Sequence, residues 1–251
     1  MERGEKDLAT MMDKKRAGNV ISPSKLRLFW EQMLEAVHEV HKANIIHSDI
    51  KPANFLLVAG DLKIIDFGLA CKYYPGQDYV IKNGCVGTKD YMSPELLSSF
   101  VIEDGVVEKR KEVKVTTKSD IWALGIILYI FVYGSGPFSN VPGGKLSRLK
   151  ILASDDYPVE FEEMKDLDPM LVDTMKKCLH KDPEKRSTIE ELLSHPYLRP
   201  DHVEKIQQPN AFCPSCDKVD NKHTKQIEEE PVRLKNKEAK EWKTYPEQLL
   251  C

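Results

Sequence analysis

His47-Ser48-Asp49-Ile50-Lys51-Pro52-Ala53-Asn54, with Asp66-Phe67-Gly68 downstream, is the stretch that decides how this chain reads. Asp49 supplies a carboxylate that can accept the proton of an attacking hydroxyl and fix its direction. Lys51 supplies an ammonium that can stabilise charge developing on a phosphoryl group. Asn54 and Asp66 are hard oxygen donors of the kind magnesium takes alongside substrate phosphates. Asp-Phe-Gly alone is a weak signal. The ordered set of Asp, Lys and Asn followed by Asp-Phe-Gly is specific, and the competing reading is an ordinary turn rich in Asp, Pro and Asn.

Between the two motifs, Phe55-Leu56-Leu57-Val58 and Leu62-Lys63-Ile64-Ile65 flank Ala59-Gly60-Asp61. Two short apolar runs around a glycine-containing turn predict a small hairpin. Such a hairpin presents Asn54 and Asp66 from the two ends of one tight unit.

Further motifs agree. Gly87-Thr88 precedes Tyr91-Met92-Ser93-Pro94-Glu95, Asp120-Ile121-Trp122-Ala123-Leu124-Gly125 follows, and His180-Lys181-Asp182-Pro183-Glu184-Lys185-Arg186 comes late. Together these resemble the protein kinases over residues 1–199, with Ser93 where the Ala of Ala-Pro-Glu stands. The resemblance implies ATP and Mg2+ as cofactors and roles for Asp49, Lys51 and Thr88 in catalysis, with Asn54 and Asp66 on the metal. It implies adenine contacts at Leu56 and Ile65 and backbone bonds at Glu2 and Arg3. It also implies a buried Glu95–Arg186 ion pair, which is structural. Thr88 is expected to bridge Asp49 and Lys51 through its hydroxyl.

A closer resemblance is to the monopolar spindle, or threonine-tyrosine, kinases. It rests on Met1-Glu2-Arg3-Gly4, Met33 to His38, His47-Ser48-Asp49, Lys51 to Leu56, Val86-Gly87-Thr88 and the polar insertion Ser98 to Lys118. The implied role is a serine/threonine or dual-specificity kinase of the mitotic spindle checkpoint. Its partners would be protein substrates with Ser, Thr or Tyr acceptors, and kinetochore proteins. Placement would be intracellular, at the nucleus or kinetochore or in the cytoplasm.

By the same resemblance Met1 stands at the gatekeeper and Glu2 to Gly4 at the hinge. The expected fold class is therefore mainly α: the C-terminal lobe of a protein-kinase-like fold with one small β-hairpin, the N-terminal β-lobe being absent from the chain. Such a lobe is not expected to phosphorylate well by itself. The rival reading is a non-catalytic lobe that binds kinases or their substrates.

Elsewhere the chain departs from common kinases. Ser48 stands where many carry an arginine that pairs with an activation-loop phosphate, and no Ser or Thr lies between Asp66 and Val86. A phosphoserine or phosphothreonine latch is thus not expected, and Tyr73, Tyr74 and Tyr79 are the remaining acceptors. His47 reads as a packed support for the loop. Lys109-Arg110-Lys111, Lys114 and Lys118 read as a solvated basic loop, recognition of acidic substrates being the sharper alternative.

A helix is predicted over 22–43, capped by Ser22 with Pro23 in its first turn and Leu26, Phe29, Met33, Val37 and Val40 on one face. Further helices are expected near Lys145–Ala153, Pro169–Leu179 and Thr188–Leu193. Ile121 to Tyr133 reads as a helix buried on every side, too short to span a bilayer. Almost nothing else reads as strand.

The chain has 251 residues, 41% hydrophobic, with net charge −3, so no global field favours nucleic acid or an acidic membrane surface. Six Cys without a signal pattern fit a reducing compartment. Residues 200–251 turn polar and are expected to form a mostly disordered tail. There Cys213, Cys216 and His223 have the makings of half a zinc site, with two plain thiols the simpler reading.

Overall fold

The computed structural model describes residues 6–16, 21–74, 76–82, 87–98, 100–103, 106–109, 112–140, 151 and 158–199. Helices α1 (Leu8–Arg16), α2 (Pro23–Lys42), α3 (Pro94–Leu97), α4 (Thr117–Tyr133), α5 (Pro169–Cys178) and α6 (Ile189–Leu193) surround short strands. The strands are β1 (Lys6–Asp7), β2 (Ile45–Ile46), β3 (Phe55–Val58), β4 (Asp61–Ile64), β5 (Cys71–Lys72), β6 (Tyr79–Lys82), β7 (Phe100–Glu103), β8 (Val106–Lys109) and β9 (Val113–Thr116).

The long helix α2 forms where the apolar spacing requires it. Ser22 Oγ accepts the Lys25 amide at 3.3 Å and Pro23 occupies the first turn, so the start is capped as the sequence implies. Leu26, Phe29, Trp30, Met33, Leu34 and Val37 are buried against the core. Burying each such side chain contributes roughly 1.5–3 kcal/mol before entropy is counted. Helix α4 is buried on every face and stops at Gly134, whose φ of 80° is left-handed. No helix of the described residues is long and apolar enough to cross a membrane. Gly125 lets α4 approach the end of α5: an added Cβ would lie 2.6 Å from Cys178 Cβ.

Helix α5 begins at Pro169 with Asp168 accepting the Met170 amide at 2.9 Å, and α6 begins with a capping box of Thr188 and Glu191. Of the expected helix near Lys145–Ala153 only Ile151 is described, and it is helical.

The predicted hairpin is present as β3–β4, paired from Phe55↔Ile64 to Val58↔Asp61. Its turn is the two residues Ala59 and Gly60, at φ 51° and 91°, so Asp61 belongs to the strand. Turns with positive φ match the right-handed twist of paired strands. Gln32 of α2 fastens this turn, donating to the Gly60 carbonyl at 3.2 Å and accepting the Leu62 amide at 3.3 Å.

The near-absence of other strands does not hold. β1 adds a third strand beside β3, β2 pairs with β5, β6 with β9 and β7 with β8, all antiparallel. Of the basic run read as a solvated loop, Lys109 and Lys114 lie in strands β8 and β9 and Lys118 in α4, while Arg110 and Lys111 lie outside the described residues. In Val113-Lys114-Val115-Thr116 the two valines are buried, a period of two hidden among charged neighbours. Lys114 lies over the Tyr79 ring at 4.2 Å, and Lys118 Nζ donates to the Arg186 carbonyl, so two of the five basic residues are engaged within the fold.

Candidate active site

Asp120, at the start of α4, organises the loop that carries Asp49. Its carboxylate is almost wholly buried and accepts the His47 amide and the Ser48 amide, each at 2.9 Å, while His41 Nε2 lies 2.9 Å from Oδ2. Burial raises the pKa of Asp120, but hydrogen bonding and charge from His41 outweigh it and the carboxyl falls below the usual carboxylate range. Ser48 itself sits at φ 67°, a left-handed backbone for a non-glycine residue. Two amide bonds to one buried anion hold that conformation in place.

His47 Nδ1 accepts the Asp49 amide at 3.3 Å, so its Nε2 carries the hydrogen and donates to the Ile65 carbonyl at 3.2 Å. The ring also meets Phe67 edge-on, with centroids 5.1 Å apart. His47 is therefore the packed support that the sequence predicts. It ties the catalytic loop to the Asp-Phe-Gly turn.

The carboxylate of Asp49 is the hub of the site. Oδ2 lies 2.5 Å from Lys51 Nζ, and Oδ1 accepts both the amide of Thr88 at 3.0 Å and its hydroxyl at 2.9 Å. Asn54 Nδ2 donates to the Asp49 backbone carbonyl at 2.9 Å. Burial raises the pKa of Asp49, and the bonds from Lys51 and Thr88 more than reverse this, leaving it below the ordinary range. At neutral pH Asp49 is therefore an ionised acceptor. Lys51 and Thr88 meet through the carboxylate, one on each oxygen, in place of a hydroxyl standing between the other two.

Gly87 makes the approach of Thr88 possible. Its φ is 142°, and an added Cβ would lie 3.2 Å from the Ser48 carbonyl and 3.3 Å from the Met92 methyl. The hairpin delivers the remaining oxygen donors. The Ile65 amide donates to the Asn54 carbonyl at 2.9 Å, so Asn54 and Asp66 leave the same open end of β3–β4. Asp66 is exposed at φ 63° and accepts the Gly68 amide at 3.3 Å. Leu56 is half-buried in β3, and Ile65, at 38% exposed, presents an apolar side chain at the same end. Glu2 and Arg3 lie outside the described residues, as do Cys213, Cys216 and His223.

Glu95 and Arg186 form the expected ion pair, bidentate at 3.0 Å for both bonds. Arg186 is fully buried, and its other N–H groups reach the carbonyls of His180, Lys118 and Lys181 at 3.0, 2.6 and 3.2 Å. The guanidinium also lies over Trp122 at 5.2 Å. Every donor of the fork is satisfied, the condition under which a buried charge is tolerated.

A carboxylate held between an ammonium and a threonine hydroxyl, beside two oxygen donors at a hairpin end, is an arrangement suited to phosphoryl transfer. The chain belongs to the protein kinase family: the family described as protein kinase domain matches residues 1–198.

Among similar proteins, the dual specificity protein kinase Ttk of Danio rerio is 40% identical over 199 residues, 79% of this chain and 19% of that protein. The dual specificity protein kinase TTK of Mus musculus is 39% identical over 199 residues, 79% of this chain and 22% of its own length. The serine/threonine-protein kinase mph1 of Schizosaccharomyces pombe is 40% identical over 218 residues, 80% of this chain and 31% of that protein. The chain thus spans between about a fifth and a third of the length of these relatives.

Asp120 is the site residue that sequence reading missed. Asp120 is recognisable in its motif only as a helix start, and its role depends on a loop far away in the chain.

Proposed function

We propose that this chain is the hinge and C-terminal lobe, residues 1–199, of an ATP-dependent serine/threonine or dual-specificity protein kinase, followed by a polar tail at 200–251. Support for the lobe assignment comes from the order of elements among the described residues, where β1 and α1 stand before α2 and the loop of Asp49. Asp49 directs the substrate hydroxyl and takes its proton. Thr88 and Lys51 keep the carboxylate ionised and aimed. Lys51 also faces the transferring phosphoryl group. Asn54 and Asp66 are suited to a magnesium ion, which needs few protein oxygens and neutralises phosphate charge when bound. Leu56 and Ile65 offer an apolar seat for adenine, with the backbone of Glu2 and Arg3 as its hydrogen-bonding edge.

The observation that carries this reading is the doubly anchored Asp49 carboxylate, 2.5 Å from Lys51 Nζ and 2.9 Å from Thr88 Oγ1. By the resemblance to the monopolar spindle kinases we propose that the parent protein acts in spindle-checkpoint signalling, at the nucleus or kinetochore or in the cytoplasm, on protein substrates there. The test is magnesium-dependent transfer from ATP to a generic Ser/Thr protein substrate. This chain is compared with a version extended upstream, each with and without Asp49→Ala. We expect transfer by the extended form and none after Asp49→Ala, with circular dichroism unchanged. Folded but inactive protein in every case would favour a binding lobe instead.

A further inference from the structure

In many kinases a phosphate on the activation segment pairs with an arginine just before the catalytic aspartate. Here the same two places are occupied with the charge on the other partner. The residue before Asp49 is the uncharged Ser48, and its Oγ lies 3.2 Å from Lys82 Nζ. The same ammonium donates to the Leu69 carbonyl, directly after Asp66-Phe67-Gly68. One side chain thus joins the catalytic loop, the start of the segment and strand β6. β6 in turn is paired from Tyr79↔Thr116 to Lys82↔Val113 with β9, whose Val113 and Val115 are buried in the core. Two of the three tyrosines that remain as acceptors are already engaged. Tyr73 donates its hydroxyl to the His41 carbonyl at 3.2 Å, and the Tyr79 ring lies under Lys114 at 4.2 Å.

We propose that Lys82 is a positioning residue that seats the activation segment on the catalytic loop without a phosphate. This rests on the kinase reading of Asp49 and deepens it. Seating the segment brings Gly87 against the Ser48 carbonyl and lets Thr88 reach Asp49. The ammonium acts through Ser48 and Leu69 and touches no reacting atom.

Amide hydrogen exchange on the full chain, phosphatase-treated and confirmed by mass to carry no phosphate, tests this. Helix α4 serves as the internal reference. We expect the amides of residues 79–82 and of Thr88 to be protected in the untouched sequence. Lys82→Met should speed their exchange at least tenfold while α4 is unchanged, and Lys82→Arg should restore most of the protection because it keeps the donors. Protection that appears only after phosphorylation, or rates unmoved by Lys82→Met, would overturn the proposal. If Lys82→Met also loosens α4, Ser48→Ala decides: local acceleration supports the latch, and unchanged rates reject it. Exchange needs no turnover, so a chain that failed as an enzyme would still answer the question.

Discussion

The catalytic loop and the segment facing it hold Asp49 by different means. On the loop side, Asp120 is 1% exposed and grips the backbone of His47 and Ser48, while Arg186 closes the nearby end of α3 with every donor used. On the segment side, β6 and β9 form a two-stranded pair, Ile81 is 48% exposed, and the Lys82 ammonium links β6 to Ser48. Interactions withdrawn from water are strong and costly to break singly. Those near solvent are weak and reversible. The site is thus built on a rigid support, with its facing segment attached by bonds that can open.

The largest effect belongs to the rigid side. Arg186→Ala should cost about 3–5 kcal/mol, because it strands the Glu95 carboxylate and three carbonyls at once. Urea unfolding monitored by tryptophan fluorescence would measure it. A cost under about 1 kcal/mol would erase the contrast between the two sides.

Asp120→Asn comes next. The amide keeps the shape but cannot accept from two backbone N–H groups and His41 with both ends, at a cost of about 1–3 kcal/mol. The pH dependence has a definite sign. The folded pKa values of Asp120 and Asp49 are depressed, so their contribution is full above the unfolded value near about 3.9 and is lost as pH falls through the folded one. The stability gap between the parent sequence and Asp120→Asn should therefore narrow between neutral pH and strongly acidic solution. A gap that stays constant across that range would mean that charge at Asp120 is not what holds the loop.

Gly125→Ala should cost about 1–3 kcal/mol. Its methyl would meet Cys178 Cβ at 2.6 Å and Leu179 Cδ2 at 2.9 Å, where one helix packs on the end of another and little can yield. The same unfolding experiment checks it. Because the contact is remote from β6, exchange at residues 79–82 should keep its parent rates.

Much of the rigid side is legible from residue types. Asp49, Lys51, Asn54 and Asp66, singled out by residue type and order, do gather on one loop and the adjoining hairpin end, and α2 announces itself through Ser22, Pro23 and a 3.6-residue apolar period. Thr188 and Glu191 likewise mark the start of α6. The segment side was not legible. Tyr79–Lys82 and Val113–Thr116 are short strands whose pairing is decided by distant burial of Val113 and Val115, not by a local turn. Lys82 is one lysine among many, and only the folded chain brings it to Ser48 and Leu69. Helix α1 escaped for another reason: its signal is just Asp7 capping the Thr10 amide at 2.8 Å and Leu8 and Met12 one turn apart.

The smallest expected effect concerns the hairpin that presents Asn54 and Asp66. Ala59 sits at φ 51°, a left-handed conformation that an alanine adopts at a cost, and Gly60 follows at φ 91°. Asn-Gly is the pair such a two-residue turn prefers. Ala59→Asn should therefore stabilise the fold, by at most about 1 kcal/mol, since the residue is exposed and only backbone strain is relieved. A small rise in melting temperature would show it. The substitution also sharpens the contrast between the two sides. The hairpin is pinned to α2 by Gln32 and belongs to the support, so tightening its turn should leave exchange at residues 79–82 untouched. Slower exchange there would mean that the segment draws on the hairpin for its stability, and that the two sides act as one unit.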